Sequence, residues 1–175
     1  GITLAMALGG MASSTAGGED PKDGIVPMNR LLKVREAIQA GNLEGAGEEM
    51  AALRQTGIDR RLPQFFDTLY ELALARQDGA AIRAALLEAL SRFPEQTRFA
   101  ILLATFHRNR GEEKQAEATA LQILAQAPET KEAHLMLGEI YRGRKRTDKA
   151  SEHFQRALDL EPENQTLALA LADLH

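Results

Sequence analysis

The sequence predicts an all-α fold, a solenoid of stacked antiparallel helix pairs, and three observations predict it. Pro94, Pro128 and Pro162 stand 34 residues apart and each opens the same phrase: Pro94-Glu95-Gln96, Pro128-Glu129-Thr130 and Pro162-Glu163-Asn164. A fixed period of about 34 residues is the mark of a helical repeat array. Turn chemistry then falls between the prolines, at Asp78-Gly79, Asn109-Arg110-Gly111 and Gly143-Arg144, and breaks each repeat into two helices. Finally, no stretch alternates apolar and polar residues with period two over a useful length, so no sheet is expected.

Residues 1–27 come first and differ from the rest. Ile2 to Ala12 is a nearly unbroken run of apolar and small residues, followed by a Gly/Ser-rich stretch and then Glu19-Asp20-Pro21-Lys22-Asp23-Gly24. The run is too short to span a bilayer, which takes roughly 20 residues. It reads either as the end of a membrane anchor or signal-peptide core, with Gly10-Met11-Ala12 as a small-x-small cleavage site, or as an Ala/Leu helix or tag-bearing tail packed on the solenoid. The start at Gly1 rather than Met reads as a trimmed form of a longer protein. The tail is expected to occupy a groove or to cap the first helix pair.

The solenoid is expected over 28–164. Residues 28–62 can form a helix pair broken at Gly41-Asn42, read as a degenerate first repeat. Repeat 63–96 has Phe66, Leu69, Ala89 and Pro94, but Tyr70 where the later repeats have the small Ala104 and Gly138, so its helices should sit further apart. Repeat 97–130 has Leu103, Ala104, Ala116 and Pro128, with His107 and Ala120 where the last repeat has Tyr141 and Phe154. Repeat 131–164 is the most regular, with Leu137-Gly138, Tyr141, Ala150, Phe154, Ala157 and Pro162. Small residues such as Gly138, Ala150 and Ala157 allow close helix approach, while Leu137, Tyr141 and Phe154 fill the space between neighbours. Each proline stops a second helix, because it disfavours helical geometry in the residue before it. Residues 165–175 begin a further helix, with Leu167, Leu171 and Leu174 on its packing face.

The pattern in 131–164 resembles the tetratricopeptide repeat, and His134, where Trp is usual, is its one departure. The resemblance implies a right-handed solenoid whose first helices line a concave face. It implies a partner-binding groove of Gln64, Asp67, Glu71 and Leu74, then Arg98, Ile101, Thr105, Arg108 and Asn109, then Glu132, Leu135, Glu139 and Arg142. This mixture of both charge signs with a few apolar residues suits an amphipathic helix or an extended peptide. Members that clamp acidic chaperone tails place Lys and Asn at the fifth and ninth groove positions. Here those pairs read Asp67/Glu71, Ile101/Thr105 and Leu135/Glu139, so such a clamp is not expected.

Composition narrows the classes further. The chain has 175 residues, 44% hydrophobic but 5% aromatic, which suits tightly stacked helices. A net charge of −4 argues against general nucleic-acid binding, which needs a basic face. The absence of cysteine removes disulfides, thiolate metal sites and cysteine nucleophiles. Among His107, His134, His153 and His175 no two have the one-turn spacing of a helical metal pair, and His107 and His134 read as packing residues. No glycine-rich phosphate loop is present. No catalytic residue, metal ligand or cofactor is therefore assigned. Arg142-Gly143-Arg144-Lys145-Arg146 is the densest charge, read as a solvated turn complementing the carboxyl end of a helix, against the alternative of contact with an acidic partner, anionic lipid or nucleic acid.

The expected function is that of a non-catalytic adaptor or scaffold holding a protein or peptide partner, in a bacterial envelope assembly, periplasmic or membrane-anchored, with a cytoplasmic location as the alternative. A membrane tether would come from sequence upstream of residue 12. Two alternatives stand beside it. One is a self-assembling module joined through the apolar amino-terminal segment or the carboxyl-terminal helix; the other is a regulatory fragment of a larger protein. The apolar final helix means either that the natural chain continues or that its edge meets another molecule.

Overall fold

A computed structural model describes residues 21–174, with side chains from residue 27 onward. Within them lie nine α-helices and no strand: α1 (Pro21–Gln39), α2 (Leu43–Gln55), α3 (Gln64–Ala75), α4 (Gly79–Arg92), α5 (Thr97–Asn109), α6 (Glu113–Gln126), α7 (Lys131–Gly143), α8 (Thr147–Leu160) and α9 (Gln165–Ala172). A 3-10 turn, Ile58–Arg60, joins α2 to α3. α1, α3, α5 and α7 each pair with the helix that follows, successive pairs stack on one another, and α9 packs on α8, giving a right-handed solenoid. The segment 1–20, and with it every expectation placed on the apolar run and its cleavage site, lies outside the described residues, as does His175.

The periodic prolines act locally. The residues before them, Phe93, Ala127 and Glu161, leave helical geometry with φ of −131, −135 and −140°, so α4, α6 and α8 all end at the same place in the repeat. The turns inside the pairs use a left-handed residue, and two of these are not glycine: Gln77, Gly111 and Lys145 have φ of 56, 72 and 57°. Gly143, expected to make its turn, is instead the last residue of α7, and Gly79 is the first of α4 beneath the Asp78 cap. Helix α1 starts at Pro21, ahead of the start near Met28 expected from sequence, and carries Pro27 within it.

Packing follows small-against-large pairing. A Cβ added at Gly138 would stand 2.6 Å from the Phe154 ring, so α7 and α8 meet over a bare backbone. At the equivalent place in α5 and α6, Ala104 and Ala120 are both fully buried. Tyr70 and Leu86 occupy it in α3 and α4, and this pair is packed less closely than the last, as the size of Tyr70 predicts. The core has two parts meeting within α5. One is built on Phe65, Phe66, Leu86 and Phe99, the other on Ala104, Leu137, Tyr141 and Phe154.

A second periodicity emerges at the turns. Arg76, Arg110 and Arg144 each reach back to the start of the preceding repeat's second helix. Arg76 donates to the Leu43 carbonyl at 2.6 Å, Arg110 lies beside Gly79, and Arg144 pairs with Glu113 and Glu117 of α6. The Arg144 hydrogen bond, followed by that from the Tyr141 hydroxyl, holds the Glu117 carboxyl below its usual range. A lowered folded-state value stabilises the fold above the unfolded carboxylate range and is lost as pH falls through it. Wild type should therefore exceed Glu117→Gln in stability by its full margin above about pH 5, with the gap closing on acidification. Urea midpoints at a series of pH values measure this; a gap that widens in acid refutes it.

Candidate functional site

The first helices of the pairs, α1, α3, α5 and α7, present a shared face, and its charged residues are arranged as rungs between neighbours. Arg35 of α1 lies 3.0 Å from Glu71 of α3, Arg98 of α5 lies 2.8 Å from Asp67 of α3, and Arg108 of α5 pairs with Glu139 of α7. Five of the groove residues expected from sequence are thus engaged with one another or with Arg35. The sixth member, Arg35, was outside the expected set because residues 28–62 carry few signature positions. Its signal was the buried stripe Leu31 and Val34, with Ile38 packed behind it, which sets Arg35 on the edge facing α3.

Such pairs on a partly solvated surface each contribute about 0–1 kcal/mol to stability. Their larger effect is to fix side-chain directions and to cancel charge along the groove. Asp67 is held above the usual carboxylate range by burial, which outweighs Arg98 and Arg35. Among the described residues, Gln64 Oε1 and Arg35 Nε are buried without a hydrogen-bond partner; the Arg35–Glu71 approach is close but not aligned as a hydrogen bond. Arg98 also lies over the Phe99 ring at 4.8 Å, and Arg142 over Phe154 at 5.7 Å.

The remaining expected groove residues divide by chemistry. Ile101 and Leu135 are half-buried and occupy equivalent places on α5 and α7; Leu169 continues the row on α9 and is 66% exposed. Leu74, Asn109 and Glu132 are exposed, and Thr105 is half-buried. The face therefore carries ionic rungs from α1 through to α7, with an apolar row beside them that runs from α5 towards α9.

The basic turn after α7 is not one patch. Arg144 is consumed by Glu113 and Glu117, Arg142 lies on Phe154, and Lys149 stands over Tyr141, leaving Lys145 and Arg146 exposed. Of the two histidines expected at aromatic positions, His107 is buried and His134 half-buried, and both, with His153, make polar contacts that no sequence motif revealed. His107 is buried and its Nδ1 lies 2.6 Å from Glu112 Oε2. His134 and His153, from α7 and α8, meet with their Nδ1 atoms 3.0 Å apart, and His153 stacks on Tyr141. Burial, then the neighbouring His134, pushes His153 below the usual imidazole range. Among the described residues no group of three or more His, Asp or Glu side chains converges as a metal site. Among them also, no helix is long and apolar enough to cross a membrane.

Comparisons with known proteins agree with this architecture. Residues 131–164 match the tetratricopeptide-repeat family profile. No curated protein sequence matches the chain. Among solved structures, pilF of Pseudomonas aeruginosa superposes with a TM-score of 0.68 at 19% identity, over 87% of this chain and 69% of that one. The thermophilic tetratricopeptide-repeat protein TTC0263 of Thermus thermophilus gives 0.61 at 22%, over 85% and 80% of the two chains. MamA of Desulfovibrio magneticus gives 0.64 at 19%, over 85% and 82%. At these identities the likeness is one of fold. The chain thus carries a tetratricopeptide repeat at 131–164 and has the all-α, right-handed solenoid fold of tetratricopeptide-repeat proteins, whose members generally mediate protein–protein interaction.

Proposed function

We propose that this protein is a binding scaffold that receives a segment of a protein partner along the face of its first helices. The observation that carries the proposal is the row Ile101, Leu135 and Leu169, which leaves apolar surface on an otherwise charge-cancelled face. Neighbouring helix axes lie about 10 Å apart. An extended peptide covers that distance in about three residues, and a helix in two turns, so either form can set apolar anchors on successive rows. The rungs Asp67–Arg98 and Arg108–Glu139 hold polar groups in fixed directions beside those anchors.

The test uses the chain as bait in crosslinking capture, comparing wild type with Leu135→Glu and with Arg108→Glu. A partner recovered by wild type should be lost with Leu135→Glu and weakened with Arg108→Glu, while circular dichroism shows both folded. Arg108→Glu combined with Glu139→Arg restores a rung of reversed polarity and should recover much of the binding. Equal capture by wild type and Leu135→Glu refutes the groove.

A second reading is favoured by one observation, the 66% exposure of Leu169 on the final helix α9, away from the face that Leu167, Leu171 and Leu174 pack on the core. It makes the chain a self-assembling module. Sedimentation across concentration, with Leu169→Glu as control, separates the two readings: an unchanging monomer favours the scaffold. A bacterial envelope setting belongs to the same proposal and rests on the apolar run Ile2 to Ala12. Fractionation of cells expressing the chain at its native length distinguishes it from a cytoplasmic one.

A further inference from the structure

The pair His134 and His153 lies apart from the groove, at the packing seam between α7 and α8. His134 Nε2 lies 2.9 Å from the Pro128 carbonyl oxygen, which only accepts, so the His134 proton sits on Nε2 and its Nδ1 carries a lone pair. His153 Nδ1, 3.0 Å from that lone pair, then supplies the hydrogen of their mutual contact. A ring nitrogen made available because the other nitrogen donates to a backbone carbonyl is the usual arrangement of a metal-binding histidine. The Tyr141 ring, stacked 5.6 Å from His153 at 21°, fixes the second imidazole in turn. The Tyr141 hydroxyl is itself anchored on Glu117 at 2.9 Å.

The geometry points to a two-histidine site for a late first-row divalent ion, Cu²⁺ or Ni²⁺, bridging α7 and α8 through His134 Nδ1 and His153 Nδ1. Two nitrogens 3.0 Å apart, each bonded to an ion at about 2.0 Å, subtend about 97°. That is nearer the cis angle of tetragonal Cu²⁺ or Ni²⁺ than the tetrahedral angle of structural zinc. The proton balance closes. Between two neutral imidazoles, the His153 proton moves from Nδ1 to Nε2 through solvent as the ion binds, so none is lost. Both histidines are half-buried, so the remaining positions are left to water or to a donor group from a partner. An ion held there would clamp the two helices of the most regular repeat.

The probe is Cu²⁺ added to the full chain, followed by electron paramagnetic resonance, with Ni²⁺ titrated by calorimetry in parallel. Wild type should bind one equivalent and show hyperfine structure from two imidazole nitrogens. The double variant His134→Gln/His153→Gln should lose at least tenfold in affinity, and His107→Gln should lose none. The metal should raise the melting temperature of wild type and leave the double variant unmoved. Equal affinity in wild type and double variant overturns the site. Should the double variant fail to fold, a wild-type spectrum with fewer than two imidazole nitrogens overturns it instead.

Discussion

Gly138→Ala should destabilise the α7–α8 pair by about 1–3 kcal/mol, even though alanine favours a helix over glycine by about 1 kcal/mol. The added methyl would stand 2.6 Å from two carbons of the Phe154 ring, and Phe154, 2% exposed, has no room to retreat. Phe154→Ala alone leaves a cavity and should cost about 3–5 kcal/mol. The informative experiment is the double variant. Gly138→Ala with Phe154→Ala recreates the buried pair Ala104 and Ala120 one repeat earlier. Its loss should fall short of the sum of the two singles, because the methyl enters space the ring has vacated. Urea denaturation of the four proteins closes the cycle. Additivity within about 0.5 kcal/mol would show that the two residues do not share the contact.

The second large effect is expected at Phe66. Its ring is 1% exposed and meets Phe65, Phe93 and Phe99 edge-to-face at 5.3, 6.1 and 6.4 Å. Phe66→Ala removes the centre of this cluster, which joins α3 to the end of α4 and the start of α5. The expected loss is about 3–5 kcal/mol. Because solenoid repeats contact only their neighbours, the damage should be unevenly spread. Amide hydrogen exchange should show protection falling in α3, α4 and the first half of α5, with α7 and α8 retaining theirs. A uniform fall across both parts of the core would mean that the array melts as one cooperative unit.

The elements of the fold were legible because their causes are local or strictly periodic. A proline acts on the residue before it, and it did so identically at Phe93, Ala127 and Glu161. Gly138 declared a close approach through its size alone. The left-handed turn positions were less legible. Gly143 looked like the turn residue, yet the register of α7 carries the helix through it and leaves Lys145 to adopt positive φ. Glycine permits that conformation without demanding it, so its position in a turn is a weak guide. The arginine staple was present in the sequence as an unread period, Arg76, Arg110 and Arg144, because exposed charged residues recur in any helical array without meaning.

The candidate site divides in the same way. Register alone placed Ile101 and Leu135 at equivalent positions; that Leu169 extends their row, half-buried at the first two and exposed at the third, emerges from the stacked helices. That Asp67 takes Arg98, that Arg108 takes Glu139, and that His134 takes His153 was decided only in three dimensions. Period and backbone preference depend on short stretches of chain, so they can be read directly from residue order. Partner choice among long or rotatable side chains depends on the spacing and tilt of helices that are distant in sequence, and those quantities exist only once the solenoid is stacked.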